Sequence, residues 1–291
     1  MPPSCSPARD GMKDSCLTTA ELQSVAALYN EEETNKHNKI PLDAFKSRQL
    51  LLNSIHDKFA QTCKNKSETC WLEHGIIRKS DQLYKALQKA YRPPKPSTWK
   101  NNKREWLNTY DILNVMKQYE DKHTTFEFLG VFPVDFAKKT QQTQSSSCVV
   151  QSMCNFSVVD FKKRGKTSFG MVLNLDPHDK PGSHWVACYC CLDVNDPKYG
   201  ICYYDSGGLK PPKPILDFIK NIYDQVDDPK HFQKRYNPTK TQFQDTECGI
   251  FSMLFIVLCL KHREGFRDTR KRIKTHRNDD WVHTFRDHFY R

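Results

Sequence analysis

A cysteine, a histidine, an aspartate and a glutamine occur in this chain in an order that suggests nucleophilic chemistry. Cys248 opens an apolar run and is followed by Gly249, while His184 and Asp205 lie well upstream and Gln242 lies six residues before the cysteine. A thiolate can attack a carbonyl carbon, an imidazole can move protons, and a carboxylate can orient the imidazole. A glutamine amide can stabilise the oxyanion that forms. Together these residue types predict a thiol that catalyses acyl transfer.

Each of these residues needs a particular structural element to position it. A helix that begins at Cys248 would place the thiol where about half a positive charge favours the thiolate. The Cys248 amide and the Gln242 side chain are candidate oxyanion donors, and Gln244 competes because alternate residues of a strand share one face. If His184 begins a strand and Asp205 ends an antiparallel neighbour, both side chains lie at one sheet edge. Taken singly, each residue is more often structural, and Asp205 precedes a Gly-rich turn.

The order of predicted elements indicates an α+β fold in two parts. Helical spacing of apolar residues predicts a small helical arm domain over 1–91. Three prolines then predict a linker over 92–98, which leaves a second domain over 99–291. That domain begins with helical patterns and continues with β-rich runs, followed by a long apolar helix. The predicted strands are 168–175, 185–192, 200–204 and a short one near 239–243; the predicted helices begin near Asn108, Pro214 and Cys248, with an aromatic one over 281–290.

Charge and hydropathy limit the classes of partner. The 291 residues carry a net charge of +11 and a pI near 9.0, which favours acidic partners. The densest basic segment, 267–277, is either a solvated surface or a contact for nucleic acid or acidic protein. No apolar run reaches the roughly 18 residues of a membrane span, so we expect none. The first residues lack the apolar core of a secretory signal.

The twelve cysteines are predicted to be mostly reduced. A chain this long and lysine-rich, without a secretory signal, is unlike a small secreted disulfide scaffold. Cys188 and Cys191 form a CxxC pair, but a strand would place them on opposite faces, so we expect buried free thiols and no metal site.

Several motifs resemble those of the Ulp1-like cysteine proteases, which include SUMO-specific and adenovirus-type enzymes. The matches are His-Trp-Val-Ala at 184–187, Tyr-Asp-Ser at 204–206 and the segment 242–249. Trp-Leu-Asn-Thr at 106–109 resembles the Trp-Leu-Asn-Asp helix start of SUMO proteases, with Thr109 in place of Asp. Additional likeness at 13–17, 244–249 and 285–289 points to the polyprotein proteases of large DNA viruses.

The resemblance implies a central mixed sheet flanked by helices, preceded by the helical arm. It implies a thiol endopeptidase that cleaves after Gly-Gly in viral structural polyproteins during virion maturation, in the host cytoplasm at assembly sites and in the virion. Cys248 would be the nucleophile, His184 the acid/base, Asp205 its orienting group and Gln242 part of the oxyanion hole. No metal or organic cofactor is implied.

The same resemblance assigns substrate binding to two tryptophans. In such proteases the tryptophan after the histidine faces a second one across the cleft, here Trp185 and Trp106. Two indoles that flank a slot leave room for backbone but not for a Cβ atom, so glycine passes. Trp99 is the alternative second wall.

Two other functions remain open from sequence. An isopeptidase for SUMO or ubiquitin would share the fold and the Gly-Gly slot. A nucleic-acid-binding core protein with a degenerate protease fold would account for the net charge of +11. The arm over 1–91 lacks a nucleophile–base set, so we expect it to be a docking or positioning unit and not a catalytic one.

Overall fold

A computed structural model describes residues 5–63, 67–140, 147–275 and 279–291. The chain forms two compact units, Met1–Pro94 with Tyr290–Arg291, and Lys95–Phe289. The division falls inside the predicted linker, but the last two residues belong with the first unit and not with the predicted domain 99–291. The reason is local: the Arg291 amide donates to the Pro93 carbonyl at 2.9 Å, and Arg291 Nε donates to the Arg92 carbonyl at 3.0 Å. The functional division into arm and protease stays a prediction.

The first unit is helical in its described part. A capping box starts its first helix, because Thr18 Oγ1 accepts from the Glu21 amide while the Glu21 carboxylate accepts from the Thr18 amide. Short 3-10 turns lie before the first helix, at Pro7–Arg9, and between the first two helices, at Lys36–Asn38 and Leu42–Lys46. The helices are α1 (Thr19–Glu32), α2 (Arg48–Phe59), α3 (Glu68–Trp71), α4 (Gly75–Arg78) and α5 (Asp81–Ala90). Their apolar residues share one core, including Leu22, Val25, Leu51, Ile55, Phe59 and Leu87.

The expectation of mostly reduced thiols is wrong for half of the cysteines. Disulfides join Cys5 to Cys16, Cys63 to Cys70, and Cys148 to Cys154, with Cα–Cα distances of 5.1, 5.8 and 6.4 Å. Each pair is close in sequence, at separations of 11, 7 and 6 residues. The length of the chain and the lack of a secretory signal do not reveal such local geometry, which two thiols need in order to form a disulfide.

The second unit is built around a five-stranded mixed sheet. Its strand order is β1-β4-β5-β6-β7; β4–β5–β6 are antiparallel, and β1 and β7 are parallel to their neighbours. A 3-10 turn lies at Ser97–Lys100, and β2–β3 form a separate antiparallel pair. The strands are β1 (Phe126–Pro133), β2 (Lys139–Thr140), β3 (Ser147–Cys148), β4 (Ser168–Asn174), β5 (Trp185–Cys191), β6 (Gly200–Tyr204) and β7 (Gln233–Tyr236); the helices are α6 (Thr109–Lys122), α7 (Gln151–Cys154), α8 (Val158–Lys163), α9 (Lys213–Tyr223), α10 (Cys248–Lys261), α11 (Phe266–Thr275), α12 (Asp279–His283) and α13 (Phe285–Phe289).

Helices cover both faces of this sheet. On one face, alternate strand residues pack with α9, where Phe169 lies 6.3 Å from Phe218 between ring centroids. On the other, Tyr204 stacks on Phe255 of α10 at 4.8 Å. All seven residues of β5 are buried, as expected for a central strand covered twice. The predicted α+β fold with a mixed sheet, flanking helices and a helical N-terminal region is confirmed.

Two element predictions need correction, and strands were also missed. The strand expected near 239–243 is absent; the chain there donates from Thr241 and Gln242 amides to the Ser206 carbonyl, at 2.8 and 3.1 Å, outside any ladder. The last strand is instead β7, an edge strand. Its residues are mostly polar, so the sequence shows no alternation of apolar and polar residues there. Strand β1 was not predicted. The aromatic helix over 281–290 is two short helices, α12 and α13.

Within the described residues, no helix is long and apolar enough to cross a membrane.

Candidate active site

His184 and Asp205 meet at one end of the central strand pair. Ala187 of β5 pairs with Tyr204 of β6, so the residue before β5 and the residue after β6 lie at the same sheet edge. His184 Nε2 lies 2.7 Å from Asp205 Oδ1. The antiparallel arrangement that the sequence suggested therefore places a carboxylate against the imidazole.

Asp205 is both a turn residue and the partner of His184. Its side chain is fully buried, and it also accepts hydrogen bonds from the Gly207 amide at 2.7 Å and the Leu209 amide at 3.2 Å. Gly208 has φ +78°, and a Cβ there would approach the Lys240 amide nitrogen to 2.6 Å. The turn thus needs glycine and fixes the carboxylate in one orientation.

Cys248 is the first residue of α10, as the sequence predicted. It is buried, and so are the next nine residues of the helix. Gly249 lies where a side chain would crowd the start of the helix. A Cβ there would lie 3.0 Å from Leu107 Cδ1 and 3.3 Å from Trp185 Cδ1, so the glycine lets these side chains pack against the helix start.

The imidazole of His184 is poised to carry a positive charge. Burial lowers its pKa, but hydrogen bonds to Asp205 and to Cys248, with their negative charges, outweigh burial and raise the pKa from 6.5 to about 9. Since Nε2 bonds with Asp205, Nδ1 is the nitrogen left for the thiol. A pKa near 9 means that the ring is an imidazolium at neutral pH, next to the Asp205 carboxylate.

Gln242 lies beside this pair in a fixed position. Its side chain is only 7% exposed; Oε1 accepts from Ser206 Oγ at 2.6 Å, and Nε2 donates to the Gln244 carbonyl. Because Ser206 directly follows Asp205, this hydrogen bond fixes the Gln242 side chain relative to the turn that contains Asp205. The Gln244 side chain, the rival oxyanion donor, instead accepts from Arg104 Nη1 at 2.8 Å. Both glutamines line the cavity that contains His184, and the role of Gln242 as the oxyanion donor stays a prediction.

Two cavities adjoin Trp106. The first, the tryptophan cavity, has a volume of about 440 Å³ and is lined by Trp106, Trp185 and Leu107 among others. The second, the histidine cavity, has a volume of about 430 Å³ and is lined by Trp106, His184, Gln242 and Phe243 among others. Trp106 borders both cavities and is 43% exposed.

The other two tryptophans considered for the slot, Trp185 and Trp99, are fixed by their surroundings. Trp185 is 8% exposed, and its Nε1 donates to the Leu107 carbonyl at 2.9 Å. Asn108 caps α6 next to that carbonyl, accepting from the Asp111 amide at 3.0 Å. Trp99, the alternative wall, is buried beneath the Arg286 guanidinium, whose carbon lies 4.5 Å from the ring centroid. It lines neither cavity.

Sequence reasoning missed a charged cluster directly behind the cysteine. Glu247 is fully buried; its carboxylate bonds with His283 Nδ1 at 2.8 Å and Arg286 Nε at 3.0 Å. Asp279, also buried, accepts from the Phe243 and Gln244 amides at 2.9 and 3.1 Å through Oδ2. In sequence these are ordinary charged residues, and only their burial distinguishes them.

The basic segment 267–277 is the other predicted contact region. Residues 267–275 of the basic segment form most of α11, and 276–277 lie outside the described residues. Arg272 pairs with Glu264, and Arg270 donates to the Tyr236 carbonyl. Cys188 and Cys191 are buried free thiols. Within the described ranges, no group of histidine, cysteine or acidic side chains could hold a metal ion.

Residues 171–282 match the model of the Ulp1 protease family, C-terminal catalytic domain. This range contains the histidine, aspartate, glutamine and cysteine described above. This part of the chain is therefore similar to the catalytic domain of the Ulp1 protease family. The protein is a cysteine protease, as the motifs had predicted.

Similarity to known proteins extends beyond the Ulp1-family domain. A protein of Acanthamoeba polyphaga mimivirus, proposed to be a thiol protease, is 28% identical over 285 residues, covering 88% of this chain and 84% of its own. A cysteine protease of African swine fever virus is 26% identical over 280 residues, covering 93% and 98%. The crystal structure of an African swine fever virus protease has a TM-score of 0.61 at 19% identity, covering 99% of this chain and 96% of that one. The likeness in fold therefore includes the N-terminal region.

Proposed function

We propose that this protein is a viral endopeptidase that cleaves after Gly-Gly in structural polyproteins during virion maturation. The observation that carries the chemistry is the 2.7 Å contact of His184 with Asp205, together with the interaction with Cys248 that helps to raise the pKa of the imidazole. The viral relatives, named as cysteine or thiol proteases, support the setting. Such a role places the enzyme at assembly sites in the host cytoplasm and in the virion.

Acylation begins with the Cys248 thiolate, stabilised by the start of α10 and by the His184 imidazolium. Its sulfur forms a bond to the substrate carbonyl carbon, and the carbonyl electrons move to oxygen. Gln242 Nε2 and the Cys248 amide are the donors for this oxyanion. When the C–N bond breaks, His184 gives its proton to the leaving amine, and a thioester remains on Cys248.

Deacylation uses the same groups in reverse. Neutral His184 takes a proton from water, whose oxygen attacks the thioester carbonyl. The carbon–sulfur bond then breaks, the thiolate returns, and the product leaves with a new carboxylate. Asp205 keeps the ring in place through both steps because its three hydrogen bonds allow one orientation. The residues of this chain supply every group in the cycle.

The Gly-Gly preference rests on the two tryptophans. Trp106 and Trp185 line one cavity, and Trp106 also borders the cavity that contains His184. A chain that passes the exposed indole of Trp106 to reach His184 is confined by aromatic walls, where a side chain would clash and glycine would not.

A second candidate is removal of SUMO-like modifiers. Several African swine fever virus relatives bear the name SUMO-1 cysteine protease, and the matched family is that of Ulp1. Such a modifier would place its C-terminal Gly-Gly in the same cavities. What separates the two functions is recognition of a folded modifier.

The test is hydrolysis of Gly-Gly-X peptides and of SUMO and ubiquitin reporters by wild type, Cys248→Ala and Cys259→Ala. Cys259 is the matched control because it is a buried free thiol on the same helix. We expect peptide cleavage that falls by about 10⁶-fold in Cys248→Ala and persists in Cys259→Ala. Cleavage of the modifier reporters in place of peptides would favour deconjugation. DNA binding with steep salt dependence and no hydrolysis would instead support a degenerate protease with a nucleic-acid role.

A further inference from the structure

The histidine cavity contains an exposed aromatic side chain that the mechanism does not use. Phe243 is 57% exposed although its neighbour Gln242 is 7% exposed and buried beside the reacting groups. An apolar ring in such a position gains free energy when an apolar group covers it. The ring lies in the wall of the same cavity as His184.

The main chain holds this phenylalanine in a fixed place. The Phe243 amide donates to both oxygens of buried Asp279, at 3.2 and 2.9 Å, and the Gln244 amide donates to the same carboxylate. On the other side, the Gln242 amide donates to the Ser206 carbonyl at 3.1 Å. A site whose backbone is already ordered loses little conformational entropy when a ligand binds.

The position of His184 defines which part of a substrate enters this cavity. His184 must reach the leaving nitrogen, since that atom takes its proton when the peptide bond breaks. His184 lines the histidine cavity and not the tryptophan cavity, and Trp106 borders both. The acyl part of a substrate therefore occupies the tryptophan cavity, and the leaving part occupies the histidine cavity.

We infer that Phe243 forms a binding site for an apolar side chain on the residue immediately after the cleaved bond. This inference rests on the proposed cleavage after Gly-Gly. Lys240 has its Nζ 5.6 Å from the centroid of the Phe243 ring, and Asp245 lines the same cavity. These two exposed side chains carry opposite charges and offset each other, so the apolar ring distinguishes among the uncharged residues that could follow the cleaved bond.

The test compares peptides that differ only at X in Gly-Gly-X. For wild type we expect kcat/KM with X = Leu or Phe to exceed that with X = Gly by about tenfold. Phe243→Ala should reduce this ratio to about two. Leu216→Ala, which removes an exposed apolar side chain on α9, is the control and should keep the ratio.

A second measurement examines the site from the acyl-enzyme. After acylation by a Gly-Gly ester, an amino-acid amide attacks the thioester carbonyl, the Cys248 sulfur leaves, and the amine gives its proton to His184. Leucinamide should trap the acyl-enzyme better than glycinamide in wild type, and equally well in Phe243→Ala. Equal rates for X = Leu and X = Gly in wild type, or an unchanged ratio in Phe243→Ala, would overturn the inference while cleavage after Gly-Gly stands. Failure to cleave any peptide would overturn both.

Discussion

Nε of Arg286 donates a hydrogen bond to Oε2 of Glu247 across 3.0 Å, and both side chains are almost fully buried. Glu247 directly precedes Cys248, so α13 holds the start of α10. Arg286 Nη2 also donates to the Glu105 carbonyl at 2.8 Å, which extends the connection towards Trp106. One guanidinium thus ties the nucleophile's backbone to the segment that carries the exposed tryptophan.

Glu247→Gln should lower both stability and turnover. The amide keeps the shape of the side chain but leaves the Arg286 charge without its partner, which costs about 3 kcal/mol at a buried pair. We expect kcat to fall more than KM rises, because the site loses its alignment while the cavities remain. Thermal unfolding and steady-state kinetics check this.

Glu264→Gln is the matched control for that change. Glu264 pairs with Arg272 at the surface, where such pairs contribute little. The control should keep the wild-type unfolding temperature and kcat. If both variants behave alike, Glu247 is not a positioning residue.

The sequence predicted the positions of Cys248 and His184 better than it predicted the buried residues that support the site. Cys248 at a helix start and His184 before a strand followed from local patterns, and the structure places both there. Glu247 and Asp279 could not be identified, because their role depends on burial between α10, α12 and α13, which are distant in sequence. The strand predicted near 239–243 failed for a related reason, since tertiary hydrogen bonds to Ser206 replace a ladder there.

Six free thiols per chain are expected in the protein purified without reductant and then unfolded. The chain has twelve cysteines, and the three disulfides pair six of them. Titration with a chromogenic thiol reagent in denaturant gives the count, and a value near twelve would contradict the pairing. Each short loop should contribute roughly 2–3 kcal/mol, so reductant should lower the unfolding temperature.

Trp106→Ala should mainly weaken substrate binding, and Trp99→Ala should mainly lower the stability of the fold. The exposed indole of Trp106 borders both cavities, so its loss should lower kcat/KM for Gly-Gly peptides by about tenfold or more with little change in unfolding temperature. Buried Trp99 packs under Arg286, and its replacement should cost about 3–5 kcal/mol of stability. Thermal unfolding and peptide kinetics on both variants make the comparison. The reverse pattern would make Trp99 the second wall of the slot.

The pH dependence of cleavage should report the His184 imidazolium. Its pKa is raised from 6.5 to about 9 by Asp205 and Cys248, so kcat/KM should fall on the alkaline side with a midpoint near 9. A raised pKa in the folded state also means that the pair's contribution to the free energy of unfolding is complete below about 6.5 and is lost as the pH rises through about 9.

Asp205→Asn tests the cause of that alkaline limb. The amide removes the negative charge, so burial should dominate, the pKa of His184 should fall and the alkaline limb should move towards neutral pH. Turnover at pH 7.5 should drop by about 10²–10⁴-fold, because the imidazolium is depleted and less well oriented. A pH–rate profile and NMR titration of the imidazole measure the two effects separately. A wild-type limb near 6.5, or one that does not move in the variant, would mean that Asp205 does not hold the charge on His184.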